Sequence, residues 1–217
     1  MSTLDLAQAT VFGVALNHQS VMAEHAAAFV EAPYKALPTK PVLFIKTPNT
    51  YNLSGKVPFP AGERLQAGVC LGVVLQKDAS RVAAADALSY IAGVVVANEY
   101  SLPEDSFYRP AIKAKCRDGF MSFNPNIVPL SALSDVNQLA LSVAVNGTVK
   151  QQGNTADWVR DLPTLIAEIT EFMTLHAGDV LLTGTPAGRF DLAVGDEVTV
   201  SIAEVGQLTD TVVAEAE

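Results

Sequence analysis

The chain reads as an α+β fold dominated by strands, and three features carry that reading. Residues 67–76 (AGVCLGVVLQ) are an unbroken apolar run, which suits a central strand covered on both faces. Asn146-Gly147 separates two strand-like segments, 139–145 and 148–151. Both positions of a tight two-residue hairpin turn need positive φ, and this pair supplies it readily. Short strand-like runs also recur from end to end, with only three helical stretches among them.

In chain order, residues 10–16 form a short apolar strand, and the Ala-rich stretch 21–29, with Glu24 and His25 inside it, predicts a short helix ending before Pro33. Residues 41–46 (PVLFIK) make a strand closed by the turn cluster Thr47-Pro48-Asn49, and 58–62 form a loop. After the central run, 78–91 predicts an Ala-rich helix, and Gly93 opens a strand at 94–97. Asp161-Leu162-Pro163 starts another helix, with an apolar stripe of Leu165, Ile166, Ile169, Phe172 and Met173. Gly178 is expected to stop it, with His176 as a capping cation at its C-terminal end. Residues 179–182 run as a strand into Thr183-Gly184-Thr185-Pro186, and 197–202 and 208–213 are the last strands. No repeat or linker interrupts this order, so one domain over residues 1–217 is expected.

Composition excludes several classes. Fourteen Lys and Arg against 23 Asp and Glu give a net charge of −9, which argues against a nucleic-acid or anionic-membrane partner. No apolar run is long enough to span a membrane, and the first twenty residues lack a basic leader region. A cytoplasmic protein is expected. Cys70 and Cys116 are the two cysteines, too few for a disulfide framework and without metal-ligand spacing.

Against this acidic background, four of the fourteen cations fall within residues 109–117: Arg109, Lys113, Lys115 and Arg117. Ile112, Ala114 and Cys116 alternate with the last three, the pattern of a half-buried strand over 112–118. Clustered cations in an acidic chain suit a carboxylate or phosphate site. An edge strand kept soluble by Lys and Arg fits the alternation equally well.

The segments FYRPAIKAKCRDGF, NGTVKQQGNTADWVRDLPTLIAEITEFMTLHAGDVLLTGTPAG and VGDEVTVSIAEVGQL resemble the fumarylacetoacetate hydrolase family, and the similarity covers nearly the whole chain. Within it, ALNHQS, APYKA and SLPEDSFYRPAIKAKCRDGF resemble the first half of the two-domain members that act in homoprotocatechuate (4-hydroxyphenylacetate) breakdown. The resemblance implies a β-roll or barrel core, a homo-oligomer or pairing with a homologous second subunit, and oxo-dicarboxylate substrates. Those would be 5-oxopent-3-ene-1,2,5-tricarboxylate for decarboxylation and 2-hydroxyhepta-2,4-diene-1,7-dioate for isomerisation. Both reactions pass through an enolate or dienol, which needs a stabilised oxyanion and a positioned acid or base.

By this resemblance Lys115 matches the active-site lysine of the family's A-K-x-x-D-G motif, with Arg109, Lys113 and Arg117 as substrate-binding candidates. Thr185 matches a substrate-facing residue, although a tight strand-ending turn explains TGTP as well. The family uses magnesium or another divalent metal, held by Glu-x-Glu and a further acid. Here those positions fall on Gly68, Cys70 and Glu99, so no metal is predicted for this chain. The family's His-x-x-Glu dyad falls on Val21 and Glu24. Glu24 is retained as a catalytic candidate, and His18 or His25 would have to replace the missing imidazole. Two expectations follow: a metal-free enzyme subunit using Lys115, or a structural or regulatory subunit beside an active metal-binding homologue.

Overall fold

The computed structural model describes residues 3–7, 9–104 and 106–215. Asp105, within the SLPEDSFYRP motif, lies outside them. The described strands form two sheets. The larger runs in the order β2 (Val42–Lys46), β1 (Val11–Ala15), β10 (Val180–Leu182), β5 (Val69–Leu75), β6 (Ile91–Glu99), β7 (Met121–Phe123), β3 (Tyr51–Asn52). The smaller runs β4 (Lys56–Phe59), β12 (Gly206–Ala214), β11 (Glu197–Ile202), β8 (Ala140–Val145), β9 (Thr148–Asn154). Most neighbours are antiparallel; β1–β10, β3–β7 and β4–β12 are parallel.

β5 sits at the centre because every residue in it is buried. Successive strand residues face opposite ways, so Val69, Leu71, Val73 and Leu75 join the main core with Val143, Val198, Val200 and Val212 of the second sheet. Cys70 and Val74 face the other side, with Val11, Val95 and Val180. The mostly β roll expected from the sequence is what forms. Asn146 and Gly147 take φ of 49° and 76° at the β8–β9 turn, as the hairpin requires.

Four local expectations are corrected. Residues 112–118 are not a strand: Ile112–Lys115 is a short helix, α3, with Lys115 N–H donating to Ala111 O and Cys116 N–H to Ile112 O. Helical geometry separates side chains two positions apart, so Lys113 turns outward while Lys115 is buried.

The helix expected over 21–29 breaks at His25 into α1 (Gln19–Glu24) and α2 (Ala26–Phe29). Where 78–91 was expected as a helix, only a 3-10 stretch at Ala84–Tyr90 forms. The amides before it are taken elsewhere: Ala79 N–H donates to Leu175 O, Arg81 N–H to Thr170 O and Val82 N–H to Thr170 Oγ1.

That same bond from Arg81 occupies the Thr170 carbonyl, where the last long helix, α4 (Leu162–Thr170), ends well short of Gly178. Its start is as expected, with Asp161 accepting from Thr164 N–H and Pro163 in the first turn. Phe172 lies beyond the stripe and is exposed, and His176 pairs with Asp78 (3.4 Å) rather than capping the helix.

Candidate active site

At the end of β6 the face alternation turns Glu99 away from the core shared by the two sheets, beside Cys70. Three cations converge on this single carboxylate. Lys46, the last residue of β2, places Nζ 2.7 Å from Glu99 Oε1. It also donates to the carbonyls of Tyr100 (2.6 Å), Lys115 (2.7 Å) and Phe120 (3.0 Å). Lys115 Nζ lies 3.2 Å from Glu99 Oε2, 2.8 Å from Glu104 and 4.5 Å from the centre of the Phe44 ring. Arg189 bonds Glu99 Oε2 through Nη2 and the Glu99 carbonyl through Nη1 (3.2 Å).

Burial alone would raise the Glu99 pKa, but Arg189, Lys115 and Lys46 together hold it well below the usual carboxylate range. Burial lowers Lys46 to about 8, with Glu99 pulling the other way. The Cys70 thiol is pushed up to about 12, by burial first and by Glu99 next. It therefore stays protonated at neutral pH.

Above this cluster opens a cavity of about 340 Å³. It is lined by Glu99, Lys115 and Arg189, by the turn 184–188, and by Val21, Glu24 and His25 of the α1–α2 segment. Gly184 takes φ of +101°, with Val14 O only 3.0 Å from where a Cβ would lie, so this turn needs glycine. A network ties the turn to the base of α1. Ala187 N–H donates to Ser20 Oγ (3.0 Å), Ser20 Oγ lies 2.7 Å from His18 Nδ1, and His18 Nε2 reaches Asn154 O (3.2 Å). Ser20 N–H also points at Nδ1, which makes Nδ1 the acceptor and Nε2 the donor. Burial lowers the His18 pKa, against weaker opposing effects from Asp157 and Asn154.

Of the residues singled out in the sequence, the structure gathers Lys115, Glu24, Thr185, Cys70 and Glu99 around this cavity. His25 lines it next to Glu24, whereas buried His18 caps α1. The other three cations stand outside. Lys113 and Arg117 both pair with Glu63 (3.2 Å each), and Arg109 is exposed away from the cavity. Sequence reasoning missed Lys46, Glu104 and Arg189. Lys46 was legible as a charge ending an apolar strand, and Arg189 as the cation four residues beyond Thr185.

Comparison with known proteins decides the lineage. Residues 10–213 match the family described as "Fumarylacetoacetate (FAA) hydrolase C-terminal". The chain belongs to the fumarylacetoacetate hydrolase family. It is 44% identical over 209 residues, 96% of its length, to the 4-hydroxyphenylacetate degradation bifunctional isomerase/decarboxylase of Escherichia coli. The match covers 48% of that relative, so the chain spans about half the length of the curated isomerase/decarboxylases it resembles. Among solved structures, 5-carboxymethyl-2-hydroxymuconate delta-isomerase from Mycobacterium smegmatis superposes with a TM-score of 0.81 at 27% identity, covering 100% of this chain and 83% of that one. A maleylpyruvate hydrolase from Sphingobium sp. SYK-6, solved with manganese(II) and pyruvate, shares the fold. Its TM-score is 0.79 at 24% identity, covering 95% of this chain and 71% of that one.

The residues at the implied metal positions do not fit a divalent cation. Gly68 brings no side chain, Cys70 is a protonated thiol, and both Glu99 oxygens are engaged by cations. Among the described residues no group of three or more His, Cys, Asp and Glu is placed to hold a metal ion. Nor, among them, is any helix long and apolar enough to cross a membrane.

Proposed function

We propose that this chain is a half-length, single-domain subunit of a cytoplasmic, oligomeric isomerase/decarboxylase of 4-hydroxyphenylacetate degradation. Its substrates are 5-oxopent-3-ene-1,2,5-tricarboxylate and 2-hydroxyhepta-2,4-diene-1,7-dioate. The observation that carries the reading is a single cavity of about 340 Å³ that Lys115, Arg189, Glu24 and His25 line together. The relatives named isomerase/decarboxylase support the same reaction class.

In decarboxylation the bond to the departing carboxylate breaks and its electron pair enters the conjugated 2-oxo system as an enolate. Lys115 and Arg189 stabilise the oxyanion, and Glu24 with His25 returns a proton to carbon. Isomerisation moves a proton through the same dienol. Lys115 and Arg189 also anchor substrate carboxylates. Turnover of both substrates by the purified chain in a chelator tests this: activity persists and falls by about 10²–10³ in Lys115→Met.

A second reading is favoured by the complete engagement of Glu99 with cations. On that reading the chain is a structural or regulatory subunit beside a metal-binding homologue. It predicts no turnover alone and turnover on adding that homologue.

A further inference from the structure

Thr185 Oγ1 is buried and has no hydrogen-bond partner, yet its side chain lines the cavity. A hydroxyl left in this way carries a desolvation cost that a ligand can remove. Its surroundings identify the ligand. A Cβ built on Gly68 would lie 2.7 Å from Arg189 Nη2, 2.9 Å from Arg189 Cζ and 3.0 Å from Thr185 Oγ1. The guanidinium and the hydroxyl therefore both pack against Gly68, and the bare glycine leaves them room. Arg189 spends two donors on Glu99, and a guanidinium has five. Among the described residues Lys46, Lys115 and Arg189 pair with Glu99 and Glu104, three cations to two carboxylates.

We propose that Arg189, Thr185 and Lys115 form a metal-independent subsite for the carboxylate and adjacent oxo group of a 2-oxo acid. The guanidinium takes the space beside Gly68 and Cys70 that the family resemblance assigns to a divalent cation. It is a planar, permanently charged fork, suited to two coplanar oxygens. Thr185 supplies a hydrogen bond to one oxygen, and Lys115 supplies charge from the side of Phe44. The subsite rests on the cavity being the reaction site, and it adds to that reading how the substrate's reacting end is held.

The test is calorimetric titration of oxalate, a planar two-carbon dianion, into the full chain in buffer containing EDTA. Saturable binding is expected, weakened at least tenfold in Arg189→Met and several-fold in Thr185→Val. Because Thr185 Oγ1 has no partner, Thr185→Val should keep the melting temperature of the parent, so it remains informative if Arg189→Met fails to fold. Binding that appears only with added magnesium or manganese, or that is unchanged in Thr185→Val, overturns the subsite. Oxalate binding of the expected pattern without turnover of either substrate would sink the isomerase/decarboxylase reading and leave the subsite standing.

Discussion

Lys46 Nζ lies 2.7 Å from Glu99 Oε1, and neither side chain reaches solvent. The pair links the end of β2 to the end of β6, and three backbone carbonyls complete the ammonium's shell. Removing one partner of such a pair strands the other in a low-dielectric setting, which costs about 3–5 kcal/mol. Lys46→Met should lose that much in denaturant unfolding at pH 7.

Glu99 gives the fold an acid-sensitive contribution. Its folded pKa is depressed by Arg189, Lys115 and Lys46, so the unfolded chain binds its proton first as pH falls. The stabilisation is complete above the unfolded value of about 4.3 and declines below it. Lys46, lowered to about 8, is charged in both states across this range and adds no slope. Denaturant midpoints between pH 3 and 7 should fall steeply below about 4.3, and Glu99→Gln should flatten that fall.

Lys113 and Arg117 pair with Glu63 away from the cavity. Partly exposed pairs of this kind contribute about 0–1 kcal/mol. Lys113→Ala and Arg117→Ala should therefore keep turnover and oxalate affinity within about twofold of the parent, with stability losses in that range. An effect on turnover matching Lys115→Met would contradict the division between the inner lysine and the outer cations.

Gly68→Ala asks whether the space beside Arg189 is needed. The added methyl would meet Arg189 Nη2 at 2.7 Å, so the guanidinium must shift from Glu99. Overpacking of this sort costs about 1–3 kcal/mol. Stability should fall by that amount, and oxalate affinity should fall with it.

His18 should make the α1 segment sensitive to mild acid. Its Nδ1 accepts from Ser20, which a protonated ring cannot do. Burial lowers its folded pKa, so between the ordinary value of about 6.5 and the folded one the unfolded chain binds more protons. Stability therefore drops as pH falls through that window. Protection factors of the α1 amides, corrected for the intrinsic pH dependence of exchange, should fall below about pH 6.5, and His18→Asn should remove that dependence.

The strands were legible because their signals are local. The run at 69–75 is apolar on both faces, and Asn146-Gly147 dictates its own turn. The helical errors at 78–91 and at the end of α4 share one cause, since long-range bonds decided the outcome. Thr170 O accepts from Arg81 N–H, and the 79–82 amides find partners near α4. Period-two alternation at 112–116 mimicked a strand although a single helical turn forms there. In the site, Lys115, Glu24 and Thr185 were legible through motif resemblance. Lys46 and Arg189 showed only as a charge ending an apolar strand and a cation four residues beyond Thr185; their pairing with Glu99, 53 and 90 residues away in sequence, leaves no local pattern.

The most direct measurement is a crystal structure of the chain soaked with oxalate and manganese(II), with anomalous data collected for the metal. Oxalate should lie against Arg189 and Thr185, with no manganese peak beside Glu99. A manganese ion ligated by Glu99, with Arg189 displaced from that carboxylate, would contradict the metal-independent subsite.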